Sequence, residues 1–107
     1  MPTLRYSLTV DAPLAVADYA SVTYTEHTSG VKIVNTVTDE ALAFGGVLTA
    51  DVVYLKPNAA TTIKMNAGAT AHTIDANKPF FCAGTAVTAI TITTTTDCTI
   101  EYMLAGA

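Results

Sequence analysis

Strict alternation of apolar and polar residues is the feature of this chain that most limits its fold. In the segment LRYSLTV every second residue is apolar, namely Leu4, Tyr6, Leu8 and Val10. Successive side chains of a β-strand lie on opposite faces, whereas an amphipathic helix repeats about every 3.6 residues. The pattern therefore predicts β-strands that are each buried on one face.

Similar segments follow along the chain. They are SVTYTEHT, VKIVNTVT, DVVYLK, TTIKMN, HTID, PFFCAG, AVTAITITTT and CTIEYML. Breaks between them are predicted at residues 11–13, 29–30, 45–46, 57–58, 66–68, 77–79 and 84, where Gly, Pro, Asn and Asp favour turns. Short strands with a turn about every 8–15 residues are typical of sandwiches and barrels. We predict an all-β fold, an antiparallel β-sandwich or barrel of jelly-roll or immunoglobulin-like type with about 7–9 short strands.

The segment DEALAF is the one candidate for a helix. Asp39 could cap a helical turn there, and Gly45 with Gly46 would end it. A short loop or a bent strand explains the segment equally well. At most one helical turn is therefore predicted.

The C-terminal segment AITITTTTDCTIEYML contains two β-branched runs. Ile90 and Ile92 share one face of the first run, Ile100 and Leu104 share one face of the second, and Asp97 lies in the polar stretch between them. This arrangement predicts a terminal β-hairpin. Its threonine-rich outer face lacks the charged residues that usually protect an exposed strand from pairing.

The composition restricts the possible partners. The 107 residues predict a single domain, and only 13% of them are charged, compared with about 25% in an ordinary domain. We therefore expect part of the surface to be covered by other subunits. The net charge of −4 and five scattered Lys and Arg residues argue against nucleic acid as a partner. With no apolar run of about 18 residues and no signal-peptide pattern, we expect no membrane partner and a cytoplasmic site of synthesis.

Residue patterns that carry enzyme chemistry are missing from the sequence. His27 and His72 have no carboxylate or thiol at ligand spacing, and no phosphate loop, calcium loop or nucleophile motif is present. We predict that the chain is not an enzyme and has no catalytic residue, metal or cofactor. Cys82 and Cys98 are too few for a disulfide framework, so free thiols are expected, with a disulfide as the alternative.

The pair Phe80–Phe81 stands out among the aromatic residues. Adjacent residues of a strand lie on opposite faces, so both rings cannot enter the same core. We expect one ring to pack inside and the other to pack against a neighbouring subunit.

From Thr36 to the C-terminus the order of segments resembles a known group of proteins. TVTDEALAFGGVLTADVVYLKPNAATTIKM and NKPFFCAGTAVTAITITTTTDCTIEYMLAGA are similar to small β-rich virion proteins of tailed bacteriophages, several of them head decoration or cement proteins. The resemblance implies a non-enzymatic role on the capsid surface, in many copies and often as a symmetric oligomer. The expected partners are the major capsid protein and further copies of the chain, as a homotrimer.

Three contact regions are expected from these considerations. They are an N-terminal arm of residues 1–6 with Pro2, Leu4 and Tyr6, the strand with Phe80 and Phe81, and the threonine segment 91–96 with Thr91, Thr93 and Thr95. Two other roles remain open. The chain could belong to a phage tail, neck or baseplate, or it could be a carbohydrate- or receptor-binding module, although it has no Trp.

Overall fold

The computed structural model describes residues 3–11 and 15–107, with side chains described for Thr3, Arg5, 24–84 and 86–107. Within these residues the chain forms ten β-strands and no helix. The strands are β1 Thr3–Asp11, β2 Ala15–Thr23, β3 Glu26–Asn35, β4 Glu40–Ala41, β5 Ala50–Pro57, β6 Thr61–Met65, β7 His72–Ile74, β8 Phe80–Val87, β9 Ile90–Thr93 and β10 Asp97–Gly106. Accordingly, these residues contain no helical segment of the length and hydrophobicity needed to span a bilayer.

Eight of the strands form a sandwich of two four-stranded antiparallel sheets. The first sheet has the order β3-β10-β5-β8, and the second has the order β4-β9-β6-β7. Strands β1 and β2 pair with each other as a separate hairpin. The predicted all-β antiparallel sandwich is therefore confirmed.

The pairing order identifies the sandwich as a jelly roll. Counted along the chain, the first sandwich strand pairs with the eighth, the second with the seventh, the third with the sixth and the fourth with the fifth. Two further pairings, β10 with β5 and β6 with β9, join these nested pairs into sheets. This is the eight-stranded jelly-roll arrangement rather than the immunoglobulin-like alternative.

The hydrophobic core lies between the two sheets. Both sheets contribute fully buried aliphatic side chains, and these form one cluster. Its members from the strands include Val34, Val53, Leu55, Val87, Ile100 and Leu104 of the first sheet, and Ile63, Ile74, Ile90 and Ile92 of the second. The alternation in the sequence thus records which residues of each strand face the opposite sheet.

The predicted terminal hairpin is wrong. Strand β9 pairs with β4 and β6, whereas β10 pairs with β3 and β5 in the other sheet. The connecting segment crosses the sandwich, and its Thr94 is buried, with its backbone N–H donating to the Val37 carbonyl at 2.9 Å. Alternation shows which face of a strand is buried, but it is the same for a hairpin and for two strands in facing sheets.

Several predicted strand boundaries are also wrong. The segment AVTAITITTT is divided, because β8 ends at Val87 and β9 begins at Ile90. The segment SVTYTEHT is divided, because β2 ends at Thr23 and β3 begins at Glu26. The expected break at residues 29–30 lies inside β3, where Gly30 is paired with Tyr102. A Cβ on Gly30 would lie 3.3 Å from the Tyr102 hydroxyl, so the tyrosine ring covers the glycine and keeps it in the strand.

Strand β8 continues through the break that was predicted at Gly84. The pairing with β5 shifts there, from Ala83 opposite Val52 to Val87 opposite Ala50. Gly84 has a φ of +79°, which glycine adopts without the steric cost that other residues incur. The glycine therefore makes a bulge and does not end the strand.

The segment DEALAF contains no helical turn. Glu40 and Ala41 form the short strand β4, and Leu42 follows as a buried core residue whose N–H donates to the Ile90 carbonyl at 2.9 Å. Pairing with β9 places Leu42 in the core. The loop or bent-strand interpretation of this segment is confirmed.

The C-terminal end of β10 is fixed by close backbone packing. The Thr25 N–H donates to the Gly106 carbonyl at 2.8 Å, and the Ala107 N–H donates to the Thr49 carbonyl at 3.0 Å. A Cβ on Gly106 would lie 1.9 Å from the Thr49 carbonyl oxygen. Only glycine allows this approach, so the end of the chain is built into the sandwich.

A first prediction concerns the core. Leu104 has 0% of its surface exposed, whereas Leu48 in the connection before β5 has 80% exposed. Leu104→Ala should lower the free energy of unfolding by about 2–5 kcal/mol, because it removes buried methyl groups and leaves a cavity. Leu48→Ala, the matched control, should change it by less than about 0.5 kcal/mol. Urea unfolding followed by circular dichroism measures both, and equal effects would contradict the described core.

Candidate functional site

The strand with Phe80 and Phe81 places the two rings on opposite sides of the first sheet. Phe80 pairs with the buried Leu55 and packs against the core, whereas Phe81 pairs with Tyr54 and is 45% exposed. The expectation that the rings separate is confirmed. Contact of Phe81 with another subunit stays a prediction.

The threonine segment lies on the other side of the molecule. Thr91 and Thr93 are half-buried residues of β9 in the second sheet, and Thr95 is exposed in the connection to β10. The Asp39 N–H donates to Thr93 Oγ1 at 2.9 Å, and Asp39 also pairs with Lys64 at 3.6 Å. Thr93 therefore makes a contact within the chain, and these threonines do not share a surface with Phe81.

The expected N-terminal arm is part of a longer hairpin. Pro2 lies outside the described residues, and Leu4 and Tyr6 belong to β1, opposite Val22 and Ala20 of β2. The hairpin joins neither four-stranded sheet. The expected arm residues from Thr3 to Tyr6 are therefore the first part of a longer hairpin. A contact of this region with another protein stays a prediction.

A surface that the sequence reasoning missed covers the outside of the first sheet. It consists of side chains in three successive rows that face away from the core and are exposed or half-buried. We call it the outer face, and it is defined by Ser29, Val31, Ile33, Tyr54, Lys56, Phe81, Thr99, Glu101 and Met103. Beyond these rows the same side of the sheet continues to the exposed Asn35 and Asp97 at one end, and to the buried Val52 and Ala105 at the other.

The outer face exposes large apolar side chains. Val31 is 60% exposed and Ile33 is 70% exposed, and the half-buried Met103 and Tyr54 extend this group towards Phe81. At about 4.8 Å between strands and about 6.8 Å between alternate residues, the nine positions span on the order of 300 Å². Five of the nine residues are apolar, and exposed apolar residues grouped in this way often mark a contact site.

The charge on the outer face is balanced. Its two charged residues, Lys56 and Glu101, are direct cross-strand partners. The chain as a whole has a net charge of −4, so the excess negative charge lies elsewhere. The outer face is therefore neutral overall, although its share of charged residues, two of nine, is larger than the 13% of the chain.

The sequence contains one signal that could have revealed this surface. In VKIV, both Val31 and Ile33 are apolar, although the buried residue of that strand is Val34, which has the opposite parity. A strand that is apolar on both faces must be covered on both faces or must expose one of them. Placing Val31 and Ile33 at the surface also requires knowing that β3 lies at a sheet edge.

A polar groove overlaps the outer face, with which it shares Lys56, Thr99 and Glu101. It has a volume of about 270 Å³ and is lined by Lys56, Pro57, Asn58, Asn77, Thr99 and Glu101. The Thr99 N–H donates to Asn58 Oδ1 at 2.9 Å, and the Asn58 N–H donates to the Thr99 carbonyl at 3.0 Å. These bonds fix Asn58 on the rim, with its amide donors available to a polar ligand.

Metal and thiol chemistry receive no support from the described residues. No group of three or more His, Cys, Asp or Glu side chains in the described part could hold a metal ion. His27 lies edge-on to Tyr24 with ring centroids 5.6 Å apart, and His72 lies 6.2 Å from Phe80. Cys82 and Cys98 are free thiols, as expected. In the same residues every buried side-chain nitrogen or oxygen has a hydrogen-bond partner, so no buried polar atom marks a ligand site there. The candidate sites in the described residues therefore lie on the surface.

Comparisons of the chain with protein-family models, with curated proteins and with solved structures found no match.

A second prediction tests the role of Thr93. Asp39 has a φ of +49°, and its N–H bond to Thr93 Oγ1 helps to hold this unfavourable backbone conformation. Thr93→Val removes the acceptor at nearly constant volume and should lower the free energy of unfolding by about 0.5–1.5 kcal/mol. Thr91→Val, on the same face, is the control and should change it by less than about 0.5 kcal/mol. If the two variants unfold at the same urea concentration, the Asp39 bond does not contribute.

Proposed function

We propose that this chain is a virion structural protein of a tailed bacteriophage that binds the assembled head as a decoration or cement protein. The observation that carries the proposal is the outer face, a surface without net charge that exposes Val31 and Ile33 at one edge of the first sheet and Phe81 at the other. Such a surface supports a role in protein contacts rather than in chemistry. The fold agrees with this role only by analogy, because jelly rolls occur in viral capsids and also in lectins and cupins.

A decoration protein can stabilise a particle even when each copy binds weakly. A protein that binds the assembled lattice, and not its free subunits, stabilises the lattice by mass action. Repetition around a symmetric particle multiplies a small contribution from each copy. A small, rigid sandwich with one apolar outer face meets these requirements.

Two regions would divide the contacts in this proposal. The outer face would pack against a neighbouring subunit through exposed aliphatic and aromatic side chains. The hairpin of β1 and β2, which joins neither sheet, would reach the major capsid protein, where strand pairing or burial would complete it. The threonine segment is the weakest of the expected regions, because Thr93 is bonded within the chain.

The alternative of a tail, neck or baseplate protein is also a structural role, but with a different partner in the virion.

A third prediction distinguishes a location on the head from a location on the tail. DNA-filled heads without tails, and free tails, are purified from bacteria that produce the phage carrying this chain, and the chain is quantified by mass spectrometry relative to the major capsid protein. The proposal predicts tens to hundreds of copies on each head, on the order of the lattice repeat. Detection on tails alone, or on neither structure, would contradict it.

Rebinding of purified protein tests the surface itself. Heads stripped of the chain should bind the wild-type protein, whereas Phe81→Asp should bind at least about tenfold more weakly, because it places a charge in an apolar contact. Leu48→Asp places the same charge at an apolar residue outside the outer face, which is 80% exposed compared with 45% for Phe81, and serves as the control. Equal binding of the two variants would remove the outer face from the proposal.

The polar groove favours carbohydrate binding as a second candidate function. The groove has a volume of about 270 Å³, and its lining offers hydrogen-bond donors and acceptors from Lys56, Asn58, Asn77 and Glu101. Such a lining suits a ligand that is rich in hydroxyl groups. Isothermal titration with host cell-wall saccharides tests this role. Binding that is lost in Asn58→Ala would favour a receptor-binding module over decoration.

A further inference from the structure

We infer that the outer face is a self-complementary surface on which a second copy of this chain docks, face to face, about a twofold axis. The axis would run parallel to the strands and pass between β10 and β5, the two central strands of the first sheet. Two sheets would then pack about 10 Å apart with nearly aligned strands, as the sheets of a sandwich do. This inference does not depend on the proposed virion role.

Side-chain size along one row of the sheet supports the docking. Cross-strand pairing places Ser29, Met103, Tyr54 and Phe81 side by side, from the β3 edge to the β8 edge. Rotation about the proposed axis reverses this row. Phe81 of one copy then faces the small Ser29 of the other, and Met103 faces Tyr54. A large aromatic ring thus meets the smallest residue of the row, and the two rows are complementary in size at their ends.

The charges on the neighbouring row support the docking of a second copy independently of side-chain size. Val31, Glu101 and Lys56 form this row, and Glu101 and Lys56 lie on the two strands that flank the axis. The same rotation places Glu101 of one copy against Lys56 of the other, and repeats the pair with the partners exchanged. A patch with one cation and one anion arranged in this way is complementary to itself.

The net charge of the chain also favours this face for a contact between copies. Two chains of charge −4 repel each other, and the repulsion is weakest where the meeting surfaces are neutral. A strongly basic partner would instead be drawn to a more acidic part of the surface. The balanced pair on an apolar background therefore fits a second copy better than a basic partner.

The size of the outer face sets the strength of the contact. On the order of 300 Å² per copy is smaller than the roughly 800 Å² per partner of a standard interface. We therefore expect a weak dimer in free solution, with a dissociation constant on the order of ten micromolar or higher. A twofold contact gives an even number of copies, whereas the resemblance discussed above suggested three.

A charge-swap experiment tests the docking. Sedimentation equilibrium of the full chain is measured from a few micromolar to about a millimolar at low salt. Lys56→Glu and Glu101→Lys, made singly, should each weaken dimerisation by about tenfold or more, because each places like charges opposite one another in both symmetric pairs. The double variant K56E/E101K should restore the wild-type constant to within about threefold, since both facing pairs again have opposite charges.

Control variants distinguish a loss of dimer contact from a loss of folded structure. Leu48→Asp, outside the outer face, should dimerise like the wild type, and Met103→Asp should be monomeric. Thermal unfolding of every variant at a dilution where all are monomeric identifies any that has lost its structure, and the comparison then uses only folded variants. A wild-type chain that is monomeric or trimeric at all concentrations would overturn the inference. Dimerisation that is insensitive to the single reversals, or that the double variant fails to restore, would also overturn it.

Discussion

The double pairing of the last strand is the constraint on which the rest of the structure depends. Strand β10 lies between β3 and β5 and pairs with both, so the first sheet exists only when β10 is in place. Its Ile100 and Leu104 are buried in the core, and Gly106 approaches the Thr49 carbonyl too closely for any larger residue. Since the nested pairs of the jelly roll join residues far apart in sequence, ordering β10 fixes the positions of all its neighbours.

The local sequence pattern predicted the strands correctly in most cases, but it did not predict which strands pair with each other. Period-two alternation gave the strand class, most strand positions and the separation of Phe80 from Phe81, because each depends on one strand alone. The same alternation led to the prediction of a hairpin of β9 and β10, although these strands lie in opposite sheets. Ile92 and Ile100 face the same core from two sides, and alternation cannot distinguish that arrangement from two neighbours in one sheet. Gly30 stayed in its strand because Tyr102, 72 residues away in the sequence, covers it.

The candidate surface could be predicted only in part for the same reason. One of Phe80 and Phe81 was expected at a contact because both rings could not enter the same core, but the sequence did not show which. The apolar residues Val31 and Ile33 indicated a strand that is apolar on both faces, but their exposure depends also on β3 being an outer strand of the first sheet. The pairing of Lys56 with Glu101 depends on register between strands that are distant in sequence. A jelly roll hosts many unrelated functions, so the functional proposals rest on this surface and not on the fold.

The central claim is that the outer face of the first sheet is made for contact with another protein surface. Methyl and amide resonances of the purified chain, recorded by NMR over a wide concentration range, test it most directly. The account predicts concentration-dependent shifts for Val31, Ile33 and Met103, with little change for Leu48 or for Thr91 on the opposite sheet. Resonances on the outer face that do not move, while those of the second sheet do, would contradict the account.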